Sequence, residues 1–276
     1  MNIHFFVSQS SPHVSLAAEP IFSLGPVAIT NSIILGVLGY AIVISMLVYV
    51  SRMIARGKTN RFVGLIQWGF ETLFETVEEV LGDKTLARKL APLAITLFFF
   101  IIVNYWLGII PFVGPITYDG VPLFRGLGAD LNVTFALAII TMVTAQIYAI
   151  KTHGFSGNAA RYFRNPIKDP AGSFEGILEF IAEFSRLAAL SLRLFGNVFA
   201  GEVLLLMVGF LTNWFAVFTL PFFMVFELFI GFIQAYVFFM LTVVFISLGT
   251  EKHGHPEKDH SPPRSTKTVA VGGNDT

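Results

Sequence analysis

Residues 190–202 read LSLRLFGNVFAGE, and their surroundings decide the fold. One arginine, Arg193, stands in an otherwise apolar and small-residue run. The run lies inside a proline-free reach from Ser173, an N-cap candidate, to Leu211. That is about 39 residues, or roughly 58 Å of α-helix at 1.5 Å per residue. A perpendicular membrane crossing needs only about 30 Å. After a break at TNW, 212–214, Pro221 fits an early helical position and apolar sequence continues to about Gly249. Two consecutive overlong helices fit a bilayer only if they tilt strongly or lie partly outside its core. The reading is a tilted helical hairpin able to lie along a curved partner surface.

The rest of the chain agrees with a membrane setting. Its 276 residues are 54% hydrophobic and only 13% charged, with 30 Phe, and the mean hydropathy is +0.71. This excludes an ordinary water-soluble domain. Runs such as Ile33–Val50 and Leu93–Ile110 carry no charge over most of the length that a bilayer demands. With no cysteine, disulfides and thiolate metal sites are excluded. The net charge of zero conceals an uneven distribution. No Lys or Arg precedes Arg52, so the positive region of a secretory signal is missing and the first apolar run is read as a retained anchor. Two loops are basic: SRMIARGKTNR at 51–61, and KTHGFSGNAARYFRNPIKD at 151–169. The positive-inside rule places both in the cytoplasm. The connection PITYDGVPLFRGLGADLN has only Arg125 and suits the opposite side.

These features predict an all-α polytopic membrane protein. Residues 1–30 form an external N-terminal segment, irregular over 1–28, and 31–250 form the membrane domain. Residues 251–276 form a polar, disordered cytoplasmic tail; its His253, His255 and His260 match no metal-site spacing. Within the membrane domain, a first spanning helix covers roughly 31–51. An amphipathic helix at 60–82 presents Val63, Ile66, Phe70, Leu73, Phe74, Val77 and Leu81 on one face and four glutamates largely on the other, so it should lie in the interface. A helical hairpin, roughly 90–111 and 131–151, precedes the two long, strongly tilted helices. The N-terminus is expected outside and the C-terminus inside, with five crossings.

All Lys and Arg fall in loops, interface or tail except Arg186 and Arg193. Arg186 has Glu179 and Glu183 at helical spacing. Arg193 has no such neighbour, and an arginine at the bilayer centre costs about 2.5–3.5 kcal/mol on insertion scales, which makes it a functional candidate. The structural alternative is a snorkelling or paired arginine. In a hairpin turning at 213–215, levels match where residue numbers sum to about 428, at 1.5 Å per residue on each helix. Arg193 is then level with Gln234 or Ala235, and Glu202 with Glu227. Two buried carboxylates at one depth suppress each other's ionisation, which suits a proton relay. Either one alone is also readable as a carboxyl bonded to helix backbone, a reading that the shared level weakens for the pair. At 100° per residue, Glu202 lies about half a turn from Arg193, so one face can address a partner while the other lines a path. Asn197 and Gln234 supply amides that do not titrate, and each alone is more often a packing hydrogen bond. Gly196, Ala200 and Gly201 flatten the surface near Arg193 and permit close approach of another helix.

SLRLFGNVFAGE closely resembles the signature of subunit a of the F-type ATP synthase, its membrane proton channel. ARKLAPLAITLFFFIIVNYWLGIIP, GADLNVTFALA and FIQAYVFFMLTVVFISLG are similar to further segments of that family in the same order, and the likeness covers roughly residues 30–250. The resemblance implies a subunit of the Fo sector with two half-channels serving a rotating c-ring of small hairpin proteins, each carrying one carboxyl group. Arg193 matches the family's essential arginine. A guanidinium remains charged at any accessible pH, so it would keep the passing ring carboxylate ionised and block leakage between the half-channels. Glu202, Glu227, Gln234 and Asn197 would line the proton path. Asp130 and Asn132 match positions at its external entry, although Asp130 reads equally well as an N-cap. The resemblance also implies a subunit b stator stalk as partner and an energy-transducing membrane of the bacterial inner-membrane type. It implies no cofactor, no metal and no nucleic acid. The family often has one His and one Glu where this chain has Glu202 and Glu227, and Asn104 sits one residue from the family's asparagine.

Two other classes compete. A secondary transporter could use Arg193 to bind an anionic substrate, but the chain has no internal duplication of the inverted-repeat kind. An intramembrane enzyme would need a Ser/His pair, a His cluster or a paired Asp motif, and the spans carry none. A GxxxxGK[ST] loop is also missing, so nucleotide chemistry is expected to belong to other subunits.

Overall fold

The computed structural model describes residues 15–24, 27–110, 117–118, 121–162 and 170–250. A short antiparallel hairpin, β1 (Pro20–Leu24) and β2 (Val27–Thr30), leads directly into α1 (Asn31–Ala55). Then follow α2 (Arg61–Leu81), α3 (Lys84–Ile109), a two-residue ladder of β3 (Thr117–Tyr118) with β4 (Val121–Pro122), a 3₁₀ turn at Leu127–Ala129, and α4 (Leu131–Tyr162). The last described elements are α5 (Pro170–Thr212), a 3₁₀ turn at Asn213–Phe215, and α6 (Ala216–Thr250). The fold is all-α, as expected. Among the described residues, four stretches are long and apolar enough to cross a membrane: Asn31–Ala55, Lys84–Ile109, Leu131–Ala159 and Pro170–Thr250. The last contains both α5 and α6.

Several boundaries differ from the sequence reading. The segment taken as irregular to residue 28 contains β1 and β2, whose register Phe22–Ile29 and Leu24–Val27 closes a hairpin too short to show as an alternating pattern. Helix α3 begins at Lys84 rather than about 90, because Asp83 caps it by accepting from the Thr85 amide at 2.7 Å. Pro92 falls inside that helix. Helix α4 runs to Tyr162 instead of 151, across a break at Gly154, where φ is +74°. Helix α5 already runs from Pro170, so Ser173 is not its cap. Residues 1–14, the tail 251–276 with its three histidines, and Arg164 and Lys168 of the second basic loop lie outside the described residues.

Helix α2 has the two-sided character read from its sequence. Val63, Ile66, Leu73 and Val77 are buried, and Phe70 stacks on Phe99 of α3 with ring centroids 4.9 Å apart. Its apolar face therefore packs on α3 and also meets α6, while Glu71, Glu75 and Glu79 are exposed. Helix α3 lies at the centre, against α1, α2 and α6; α4 packs on α5 and α6. Phe98, Phe238 and Phe239 fill the middle of this core. Lipid tails are as apolar as these side chains, so contacts between helices contribute close packing rather than removal from water. Hydroxyl pairs add direction: Ser191 donates to Thr134 Oγ1 at 3.1 Å, and Thr141 and Thr242 meet at 3.4 Å. Both pairs join α4 to the α5–α6 hairpin.

Candidate functional site

Glu227 is carried by α6 into the protein interior, where it is 2% exposed. Its Oε1 accepts a hydrogen bond of 2.7 Å from the Tyr105 hydroxyl of α3. Room for the carboxylate exists because the residue facing it on α5 is Gly201; a Cβ there would overlap the Glu227 carboxylate. The next residue along α5 is Glu202. Glu202 Oε1 accepts the Gly126 amide at 2.7 Å, and Oε2 lies 3.5 Å from Arg125 Nε. Glu202 and Glu227 together line one small cavity of about 10 Å³, with Tyr105, Gly108, Ile109, Val198 and Leu205. That is the lower limit for a single water. A neighbouring cavity of about 20 Å³ shares Tyr105 and Val198 with it and reaches Asn104, Gly128 and Leu194.

The two amides of the proposed path meet as well. Asn197 Nδ2 donates to Gln234 Oε1, and the Tyr105 hydroxyl also lies 3.4 Å from the Asn197 carbonyl. Gln234 is buried, and its Nε2 and the Oδ1 of Asn104 have no hydrogen-bond partner among the described residues. Asp130 and Asn132 are placed differently. Asp130 is buried at the start of α4, where one carboxylate oxygen accepts the Asn132 amide and the other accepts from Ser32 Oγ, both at 3.0 Å. It caps the helix and ties it to α1. The Asn132 residue is exposed, and neither lines the carboxylate cavity.

Arg193 lies on the outside of α5. Its neighbours Leu190, Ser191 and Leu194 are buried, whereas Arg193 is exposed and has no ion pair or hydrogen bond among the described residues. The helix's other arginine is satisfied, since Arg186 pairs with Glu179 at 3.0 Å. Glu183, the second expected partner of Arg186, accepts instead from Gln146 at 2.6 Å and from Tyr162. The half-turn between Arg193 and Glu202 thus separates a bare cation on the outer surface from two carboxylates facing the core.

Three groups in contact with these carboxylates were not singled out from the sequence. Tyr105 carried a signal, because a tyrosine within a span needs a partner for its hydroxyl. Arg125 was the lone basic residue of an external loop, and its charge was used only to assign a side. Gly126 gave no signal of its own. Among the described residues, no group of three or more His, Asp or Glu side chains is arranged to hold a metal ion.

The sequence matches known proteins over most of its length. The family model described as ATP synthase A chain matches residues 33–247. The ATP synthase subunit a of Enterococcus hirae is 32% identical over 233 residues, which is 82% of this chain and 94% of that protein. The subunit a of Aliivibrio salmonicida is 31% identical over 221 residues, 76% of this chain and 81% of the relative. That of Aliivibrio fischeri strain MJ11 is 30% identical with the same coverage. With a carboxylate cavity behind it and an arginine on its outer surface, the long α5–α6 hairpin lies almost wholly within the matched region, and the chain belongs to the ATP synthase A chain family, whose members are non-catalytic, proton-translocating membrane subunits of the Fo sector.

Proposed function

We propose that this chain provides two aqueous half-channels to a rotating c-ring, with Arg193 as the charge that each ring carboxylate must pass. The observation that carries the reading is the position of Arg193: exposed, unpaired among the described residues, and midway along an apolar helix. An isolated guanidinium in that setting costs about 2.5–3.5 kcal/mol unless something outside the chain compensates it. A carboxylate on a partner is the natural compensation, and Arg is suited to it because it stays charged. The exposure also speaks against a substrate-binding transporter, which would enclose its arginine.

In this scheme protons enter from the external side, pass Glu202 and Glu227, and load a ring carboxyl group. After almost a full turn that group meets Arg193 from the other side and releases its proton toward the cytoplasm. Asn197 and Gln234 lie between the carboxylate pair and the arginine and would orient water without titrating. Asp130 and Asn132 would border the external entry, with Asp130 serving also as cap. Each charge crossing 100 mV yields about 2.3 kcal/mol, so several are needed per ATP. Membrane domain 31–250, external segment 1–30 and cytoplasmic tail 251–276 define the organisation, with a subunit b stalk holding the chain against rotation in a bacterial-type inner membrane.

The test is ATP-driven proton pumping by assembled complexes. Arg193→Ala should abolish it with assembly intact, and Arg193→Lys should be nearly as damaging, since lysine loses both the rigid fork and the guaranteed charge. Normal pumping by an assembled Arg193→Ala complex would overturn the mechanism.

A further inference from the structure

We infer that Arg125 is the positioning residue of Glu202, and that the N-terminal segment Ser15–Ala17 is a strap that seats Arg125 over the proton path. The inference rests on the proposed role of Glu202.

Arg125 belongs to the external connection yet is only 8% exposed. Its Nη1 donates to the Ala17 carbonyl at 2.7 Å, and its Nη2 donates to the Ser15 carbonyl at 2.9 Å with the Leu16 carbonyl at 3.4 Å. The remaining edge, Nε, faces Glu202 Oε2 at 3.5 Å, and the guanidinium carbon lies 5.9 Å from the centre of the Phe199 ring. The planar fork therefore spans three backbone acceptors on one side and a carboxylate on the other, while lying near an aromatic face of the same helix. Lysine presents its donors from one point and cannot span them.

The segment that supplies the carbonyls is itself tied down. Glu19 and Asn31 exchange two hydrogen bonds, Asn31 amide to Glu19 carbonyl at 3.1 Å and Glu19 amide to Asn31 Oδ1 at 3.3 Å. Asn31 Nδ2 then donates to the Pro122 carbonyl at 3.2 Å. The N-terminal segment, the start of α1, the external connection and Glu202 of α5 form one bonded unit. Within it Glu202 is held at both oxygens, by Gly126 N–H and by Arg125. A Cβ at Gly126 would press on Glu202 Oε1, so the amide approach depends on that glycine. Among the described residues, the polar side chains lining the carboxylate cavity beside Glu202 are Tyr105 and Glu227, and Arg125 reaches Glu202 without lining the cavity. Of these, Arg125 touches Glu202 from outside the spanning helices.

The experiment uses assembled complexes, with pumping measured for Arg125→Gln, Arg125→Lys, Gly126→Ala, Glu202→Gln and the double variant Arg125→Gln/Glu202→Gln. A nitroxide attached at Leu16→Cys reports strap mobility; the chain has no other cysteine. Arg125→Gln should slow pumping about tenfold, the scale on which loss of an orienting group is felt, with Arg125→Lys recovering only part of the rate. The double variant should be no slower than Glu202→Gln, because the two residues act as one unit. The nitroxide should become mobile in Arg125→Gln and stay ordered in Glu202→Gln. A double variant slowed by the full product of the single effects, or an ordered nitroxide in Arg125→Gln, would overturn the inference. Should Arg125→Gln not assemble, Arg125→Lys and Gly126→Ala carry the same comparison: the first must loosen the nitroxide, and the second must lose its effect when Glu202 is Gln. Wild-type pumping by Glu202→Gln would instead remove Glu202 from the proposed path, and the nitroxide would still decide whether Arg125 seats the strap.

Discussion

Glu227 of α6 occupies the space that a side chain at position 201 of α5 would need, so Gly201 and the buried carboxylate form a matched pair across the hairpin. Gly201→Ala should displace Glu227 from the Tyr105 hydroxyl and lower pumping by assembled complexes. Shortening the acid in that background, with Glu227→Asp, should recover part of the loss. A Gly201→Ala complex that pumps normally would show that the carboxylate has room elsewhere.

Glu202 and Glu227 line the same cavity, one held by an arginine and an amide and the other by a phenol. Glu202→Gln and Glu227→Gln should each slow proton flux, and the double variant should be slowed by less than the product of the two. At position 227, His should be tolerated better than Leu because an imidazole still exchanges protons near neutrality. Multiplicative effects of the two Gln substitutions would mean that the carboxylates serve separate paths.

Among the described residues, Tyr105 supplies the one hydroxyl bonded to Glu227. Tyr105→Phe removes a buried hydrogen bond to a carboxylate while keeping the ring in the core, a loss of about 1.5–3 kcal/mol for a charged acceptor. Proton flux should fall, whereas the same change in a Glu227→Gln background should have a smaller effect. Equal effects in both backgrounds would assign the hydroxyl a packing role only.

Under the proposed topology, with both basic loops in the cytoplasm, the two ends of the chain lie on opposite sides of the membrane. Single cysteines at Ser8 and Ser265 should be labelled by an impermeant thiol reagent from opposite faces of oriented vesicles. Labelling of both from one face would add or remove a crossing.

How much of this was legible in the sequence depended on whether the determining force was local. The spans, the amphipathic α2 and the break after Thr212 follow from apolar periodicity and from Asn213, which takes a positive φ of 43°. The common depth of Glu202 and Glu227 followed from helix rise alone, since the turn fixed the origin. Helix ends were missed where a cap lay outside the apolar run, as at Asp83, or where a helix bent and continued, as at Gly154. The partners of the carboxylates were missed for a different reason. Tyr105 and Arg125 reach Glu227 and Glu202 from 122 and 77 residues away, by 227 − 105 and 202 − 125, and no periodicity within one helix encodes such a meeting.

The hairpin formed by α5 and α6 is unevenly supported. From Glu202 through Phe226 no residue is buried, whereas Leu190 to Gly201 and Glu227 to Ile246 supply the buried positions on either side. Mechanically this is a cantilever: a root clamped by hydroxyl pairs and close-packed rings, and an overhang with Trp214, Phe215 and Phe218 projecting from its end. The two carboxylates sit at the fulcrum where support stops. Sideways load on the overhang is therefore levered onto the cavity between Glu202 and Glu227, and the stiffness of the mostly apolar residues beyond them, 203–226, sets how steady that cavity remains.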